Sequence, residues 1–203
     1  MTAPPSARRG ASARTLRIIA GAWRGRRLRF PPSPQIRPTP DRVRETLFNW
    51  LSLRVPGARC LDLFAGSGAL GLEALSRGAA HVTFVERDAA AAREIAARLE
   101  EWGARTARVD PSDAHRFLDA APEQPFDIAF LDPPFASALL EESAARLERG
   151  GWLADDALIY IEYPAAADPA AALPQNWARR RSKRAGDVGY HLFSRAARGT
   201  RIE

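Results

Sequence analysis

Between residues 59 and 163 short apolar runs alternate with amphipathic stretches in a steady rhythm. The runs RCLDLF, HVTFVE, TARVD, FDIAFLD and ALIYIEY are rich in β-branched and aromatic residues and read as buried strands. Between them ALGLEALSRG, DAAAAREIAARLEEWG, SDAHRFLDA and SALLEESAARLERGG carry apolar residues at helical spacing, three of them closing on glycine. This alternation predicts an α/β fold, a parallel sheet with helices on both faces. The rhythm breaks near the end, where WARRRSKR and VGYHLFSR flank AGD and predict an antiparallel hairpin that finishes the sheet. Ahead of the alternating region, IIAGAWRGRRLRF (18–30) predicts another β-hairpin, and PPSPQIRPTP (31–40), with five prolines, a connector. A helix follows, with Thr39 as its cap, Pro40 at its first position and Asp41 at its positive end. Val43, Leu47, Trp50 and Leu51 share one face of it, and Pro56-Gly57 ends it. The resulting division is a basic tail (1–16), a hairpin and connector (17–38), the main domain (39–197) and a short tail (198–203).

Composition narrows the class. Hydrophobic residues are 46% of the 203, enough for one sizeable core. No apolar run approaches the roughly 18 residues of a membrane helix, and no basic segment leads into an apolar one. The acid-free opening MTAPPSARRGASAR reads as a disordered tail rather than a transit peptide. The single cysteine, Cys60, opens an apolar strand and reads as a core thiol in a reducing, cytoplasmic setting. His81, His115 and His191 are scattered without metal-ligand spacing, so no metal is expected.

Charge adds a partner. Residues 1–40 hold nine arginines and no acid, and residues 176–203 hold eight basic residues against Asp187 and Glu203. The stretch between them has 22 acidic and 13 basic residues. An acidic body with two basic ends suits an enzyme that docks on a polyanion. Lysine occurs once, at Lys183, so the preference for arginine carries no weight; the absence of acid from the first 40 residues does.

The candidate chemistry begins in LDLFAGSGALG (61–71), whose glycines fall on the dinucleotide-binding spacing G-x-G-x-x-G. Asp62 argues against a pyrophosphate, which it would repel, and for a ligand carrying a cation. S-adenosylmethionine carries an ammonium and a sulfonium. Glu86, ending the second strand, can accept from ribose hydroxyls, or be a solvated strand end. Asp113 can meet an adenine amine, or cap a helix. After the fourth strand comes DPPF (132–135). There Asp132 and the Pro133 carbonyl can converge on one amine, Pro134 stiffens the loop and Phe135 offers a flat face to a base. Two acceptors on the hydrogens of an exocyclic amine free its lone pair toward a sulfonium methyl. Catalysis would then be positioning and electrostatics.

Taken in order, RIIAGAWRGRRL, RPTPDRVRETLFNWL, CLDLFAGSGALGLEALSRGA, DPPF and GWLADDALIYIE resemble the RsmD-type enzymes from about residue 17 to 195. DLFAGSG and DPPF are common to many amino-methyltransferases; the WRGR and RPTPDRVRETLFNWL blocks are more specific. The resemblance implies a class I methyltransferase fold, a seven-stranded sheet whose last strands form the hairpin. It implies transfer from S-adenosylmethionine to N2 of one guanine of 16S ribosomal RNA (the guanine-966 type) in small subunits or their precursors. It also implies a monomer working without metal or membrane. By position, Asp62, Gly66, Ser67 and Gly68 would hold the methionine end, Glu86 the ribose and the Asp113 segment the adenine. Phe64, Ala65, Arg87, Ser112, Ala114 and Asp132 complete the cofactor set, and Asp132, Pro133, Pro134 and Phe135 would hold the guanine. Two departures are small: Ala20 stands where a second glycine is common, and residues 1–14 have no counterpart.

The expected RNA surface combines Arg17, Trp23, Arg24, Arg26, Arg27 and Arg37 with Arg179, Arg180, Arg181 and Lys183 of the tail. Arginine forks pair with phosphates and an aromatic can stack on a splayed base. Trp23 and Trp177 also read as hairpin core, and Arg37, Arg42, Arg44 and Glu45 as lining the cofactor or the RNA, or only bracing the first helix. A DNA adenine or cytosine amino-methyltransferase shares the DPPF chemistry, but the chain has no separate target-recognition domain. A non-catalytic RNA-binding assembly protein is opposed by Asp62 and Asp132, and a nicotinamide-dependent oxidoreductase by Asp62.

Overall fold

The computed structural model describes residues 14–30, 39–134 and 138–196. The two tails and the proline-rich connector lie largely outside them, and with them fall Arg37 and Phe135. Nine strands and five α-helices follow in the described residues. Strands β1 (Arg14–Arg17) and β2 (Arg27–Phe30) form the N-terminal hairpin. Helix α1 (Asp41–Trp50) leads into the alternating body: β3 (Arg59–Asp62), α2 (Ala69–Ser76), β4 (His81–Val85), α3 (Ala89–Glu101), β5 (Ala107–Asp110), α4 (Ala114–Leu118), β6 (Phe126–Leu131) and α5 (Leu139–Arg149). Strand β7 (Leu153–Pro164) precedes the antiparallel pair β8 (Trp177–Ala185) and β9 (Val188–Arg195).

The main sheet has seven strands in the order β5-β4-β3-β6-β7-β9-β8. The first five strands pair in parallel and the last two pairings, β7–β9 and β9–β8, are antiparallel, as the periodicity predicts. Strand alternation sends side chains to opposite faces, and each face has its own helices. Cys60, Phe84, Phe130 and Tyr160 pack against α1, α2 and α3, whereas Leu61, Ala129, Leu131 and Ile161 pack against α4 and α5. The chain runs outward through β3, β4 and β5, then returns to place β6 on the other side of β3. That reversal opens a crevice beyond the C-terminal ends of β3 and β6, where sheets of this topology bind ligands.

Three details depart from expectation. The first hairpin strand is Arg14–Arg17, ahead of the expected stretch 18–30 and reaching into the tail placed at 1–16, because residues 18–26 form the connection, closed by backbone bonds between Ile18 and both Gly25 and Arg26. Pro40, not Thr39, occupies the capping position of α1, and no side chain caps it. Thr39 is buried instead and donates its hydroxyl to Glu162 Oε1 at 2.9 Å. Strand β7 also begins earlier than ALIYIEY, because Leu153 pairs with Phe126 across an irregular register.

The hairpin is anchored rather than free. Glu73 of α2 is fully buried and accepts the backbone N–H groups of Ile19 and Ala20, at 2.8 and 3.0 Å. The same carboxylate meets Arg77 and the fully buried Arg44, which also donates to the Arg17 carbonyl. Arg44 is thus the brace between hairpin, α1 and α2. Gly21 makes the contact possible: its φ is 83°, and a Cβ there would lie 1.8 Å from the Ser76 carbonyl oxygen.

Candidate active site

Registry puts three carboxylates in one row and a fourth one step behind them on the same face. Asp62 ends β3 opposite Phe84 of β4 and Phe130 of β6, and Phe130 in turn lies opposite Tyr160 of β7. Glu86, Asp132 and Glu162 each stand two residues beyond those aromatics, so all four acids belong to the same face and the same end of the sheet.

The glycine loop leaves β3 at Asp62 and turns into α2. Gly68, with φ of 75°, precedes the helix, and a side chain there would press on Ile95 and Leu72. At Gly71 a Cβ would stand 2.2 Å from the Phe84 ring. The last two glycines of the motif therefore serve the turn and the close packing of helix on strand. Gly66 has a φ of 53°. Its N–H donates to Glu86 Oε2 at 2.7 Å, and Glu86 Oε1 takes the Asp88 N–H at 2.8 Å. A carboxylate has about four acceptor positions, so Glu86 keeps capacity for hydroxyls while fixing the loop.

Asp62 is buried, and Oδ2 accepts the Gly71 N–H at 3.0 Å. Burial raises its pKa to about 7; the Gly71 bond pulls the other way, and the Glu86 charge adds to the rise. Asp132 is pushed well above the usual carboxylate range, first by burial, then by Glu162 and Asp62. Glu162 is raised by burial, against the hydroxyls of Thr39 and Tyr160. None of these three acids has a basic side chain within ion-pair distance among the described residues. Such an arrangement is short of positive charge, and a cationic ligand would supply it.

The remaining expected positions are less uniform. Asp113 caps α4 by accepting the His115 N–H at 2.9 Å, and it is exposed. Beside it the Ser112 hydroxyl is buried without a partner among the described residues. Ala114 is buried, Phe64 half-buried, and Arg87 exposed. Pro133 is buried and Pro134 exposed at the end of β6. Sequence reasoning missed Glu162 as part of this site. Its signal was available: an acid inside the apolar run ALIYIEY, one strand over from Asp132.

Among the expected RNA contacts, Arg17, Arg24, Arg26 and Arg27 are exposed on the hairpin. Trp23 is half-buried against Trp102, ring centroids 5.1 Å apart, with Arg26 lying over the same Trp102 ring. It takes part in the packing between hairpin and α3 and keeps part of its surface exposed. Arg179, Arg180, Arg181 and Lys183 are exposed on β8, the outermost strand; Arg179 pairs with Asp168 and Arg180 with the Ser194 hydroxyl. Trp177 is buried and donates to Glu148.

A family model described as "Conserved hypothetical protein 95" matches residues 16–194. The chain belongs to that family. Its members include the RsmD-type methyltransferases that the motifs resemble. Ribosomal RNA small subunit methyltransferase D of Escherichia coli is 52% identical over 184 residues, 91% of this chain and 92% of the relative. The protein of the same name from Haemophilus influenzae is 44% identical over 181 residues, 88% and 93% of the two chains. A solved structure of the candidate methyltransferase yhhF from Escherichia coli superposes with a TM-score of 0.81 at 51% identity, covering 91% of this chain and 99% of that one. The fold is that of the class I methyltransferases. Among the described residues no group of three or more His, Cys, Asp or Glu could hold a metal, and no helix is long and apolar enough to cross a membrane.

Proposed function

We propose that this family member transfers a methyl group from S-adenosylmethionine to the exocyclic N2 of a guanine in 16S ribosomal RNA. Its substrate is the small ribosomal subunit or a precursor, met in the cytoplasm by a monomer. The observation that carries the reading is the pair Asp62 and Asp132, on the same face of neighbouring strands at the switch crevice and short of a counter-cation among the described residues. The names of the relatives support ribosomal RNA as the substrate.

The residues present fit the donor. S-adenosylmethionine supplies an electrophilic methyl on a sulfonium. Asp62 complements its ammonium end, Glu86 accepts from its ribose, and the orphan Ser112 hydroxyl lies in the segment expected to meet its adenine. Gly66, Ser67 and Gly68 bring the loop backbone close, with Phe64, Ala65, Arg87, Asp113 and Ala114 flanking. Asp132 accepts a hydrogen from the guanine amine, which shifts the nitrogen toward tetrahedral geometry and aims its lone pair at the methyl. After transfer the cationic nitrogen loses a proton readily, so no strong base is required. Pro133 and Pro134 hold Asp132 in place, and Phe135 is proposed to stack on the base. Phosphates are proposed to meet the arginines of the hairpin and of β8.

The test is incubation with labelled S-adenosylmethionine and small subunits from cells lacking the enzyme, followed by mapping of the modified base. Label at a guanine N2 supports the proposal; label on another base, on DNA only, or nowhere refutes it.

A further inference from the structure

Glu162 is the acid of this site for which the reaction so far has no use. It is 5% exposed, next to Asp132 in the row, on the neighbouring parallel strand. Adjacent strands are about 4.8 Å apart, so the two carboxyl groups are side by side at the same depth. Its Oε1 accepts two hydroxyls, Thr39 Oγ1 and Tyr160 Oη, each at 2.9 Å. Oε2 takes no donor among the described residues. A buried carboxylate anchored through one oxygen by two hydroxyls is a fixed acceptor with its second oxygen held in reserve. Tyr160 is buried and its pKa lies well above the usual value, so its hydroxyl remains a donor.

The guanine edge supplies what that oxygen lacks. Next to the amine at N2, guanine carries a second donor, N1–H. A purine with a bare N1 presents a lone pair there instead, which a carboxylate oxygen repels. We propose that Glu162 Oε2 accepts the guanine N1–H and is a specificity-determining residue that admits guanine and rejects purines whose N1 is an acceptor. The inference rests on the guanine-N2 reading above and extends it from the reacting amine to the neighbouring ring position. Sites built to pair with a polar group reject analogues lacking it more strongly than apolar pockets reject extra bulk, because their own buried group is left unpaired.

The discriminating substrate is 2-aminopurine, which retains the exocyclic amine but has a bare N1. Small subunits are reconstituted with guanine or 2-aminopurine at the methylated position, and kcat/KM is measured for each. The wild-type enzyme is expected to favour guanine by roughly 10- to 100-fold, the range for a hydrogen bond to a charged group. In Glu162→Gln, the hydroxyls of Thr39 and Tyr160 hold the amide oxygen, which turns the amide NH2 toward the base. That group donates to a bare N1, so the preference should collapse toward unity or invert. Tyr160→Phe removes one of the two anchors and should narrow the ratio in a protein that still folds. It decides the matter if Glu162→Gln does not fold. An unchanged ratio in the folded variants overturns the proposal, even if both substrates slow equally, since that is the mark of a purely structural residue. A wild-type ratio near one overturns it as well. If the wild-type enzyme methylates no guanine at all, the proposed function fails first, and this inference falls with it.

Discussion

Burial holds the Asp62 carboxyl protonated to about pH 7, and a cationic donor should drive that proton off. Near pH 8 about nine-tenths of Asp62 is ionised; near pH 6, about one-tenth. If binding requires the carboxylate, affinity for S-adenosylmethionine should fall about tenfold between those values. Proton release on binding should rise from about 0.1 per site near pH 8 to about 0.9 near pH 6. Calorimetry in two buffers of different ionisation enthalpy reads that number directly. Asp132 also titrates high, so the apportionment needs Asp62→Asn, which should abolish most of the release and flatten the pH dependence. The free protein carries the mirror effect. Asp62 binds its proton more tightly folded than unfolded, because its folded value lies above the ordinary 3.8. This contribution to stability is therefore complete below about pH 4 and is lost as pH rises through about 7, up to roughly 4 kcal/mol. Proton release that is absent in the wild type, or unaltered by Asp62→Asn, would refute the assignment of Asp62 to the cation.

Asp132→Ala should lower methyl transfer by roughly 10²–10⁴ while the modified subunits still bind, as single-turnover assays and pull-down of labelled subunits would show. Glu73→Ala leaves two backbone N–H groups without their acceptor, while the buried Arg44 keeps its ion pair with Asp41, so urea unfolding should reveal a loss of roughly 2–4 kcal/mol. Gly71→Ala drives a methyl into the Phe84 ring and should cost roughly 1–3 kcal/mol by the same measurement. Reversing the charge of exposed Arg24, Arg26 and Arg27 together should weaken RNA binding and flatten its dependence on salt; an unaltered slope would move the RNA contact elsewhere.

Much of this was legible in the amino-acid order, for reasons that are local. Strand and helix periods differ enough that every element of the sheet could be placed from its apolar spacing, and AGD marked the β8–β9 turn. Asp62 and DPPF stand out as candidate chemistry because their residue types are expensive or unusual at strand ends. What escaped was long-range. Thr39 reads locally as a helix cap, yet its hydroxyl is claimed by Glu162, 123 residues away. Glu73 looks like an ordinary helix acid, and nothing local says that two N–H groups of the hairpin and Arg44 converge on it. Trp23 sits among arginines and invites a stacking role, and nothing local shows that its ring packs against Trp102. The glycine spacing was legible and misleading, since Gly71 is explained by Phe84 rather than by a ligand.

The row of acids also explains why the strong buried ion pair lies elsewhere. Glu73 has Arg44 and Arg77 beside it, and that site closes on itself, holding the hairpin to the body. Asp62 accepts from Gly71 of the same helix, yet it, Asp132 and Glu162 receive no arginine among the described residues, although arginine is the commonest charged residue of the chain. An arginine among them would relieve their mutual repulsion and stabilise the free protein, and it would also fill the place of a cationic ligand. Leaving the acids uncompensated raises their hold on protons in the free protein, so part of the binding energy of a cationic ligand would be a charge neutralisation the protein does not perform for itself. On this reasoning, placing a cation in the row, as in Ser67→Arg, should raise the melting temperature near neutral pH while weakening S-adenosylmethionine binding. A variant that gained stability and kept full affinity would show that the acids are not held for a cation.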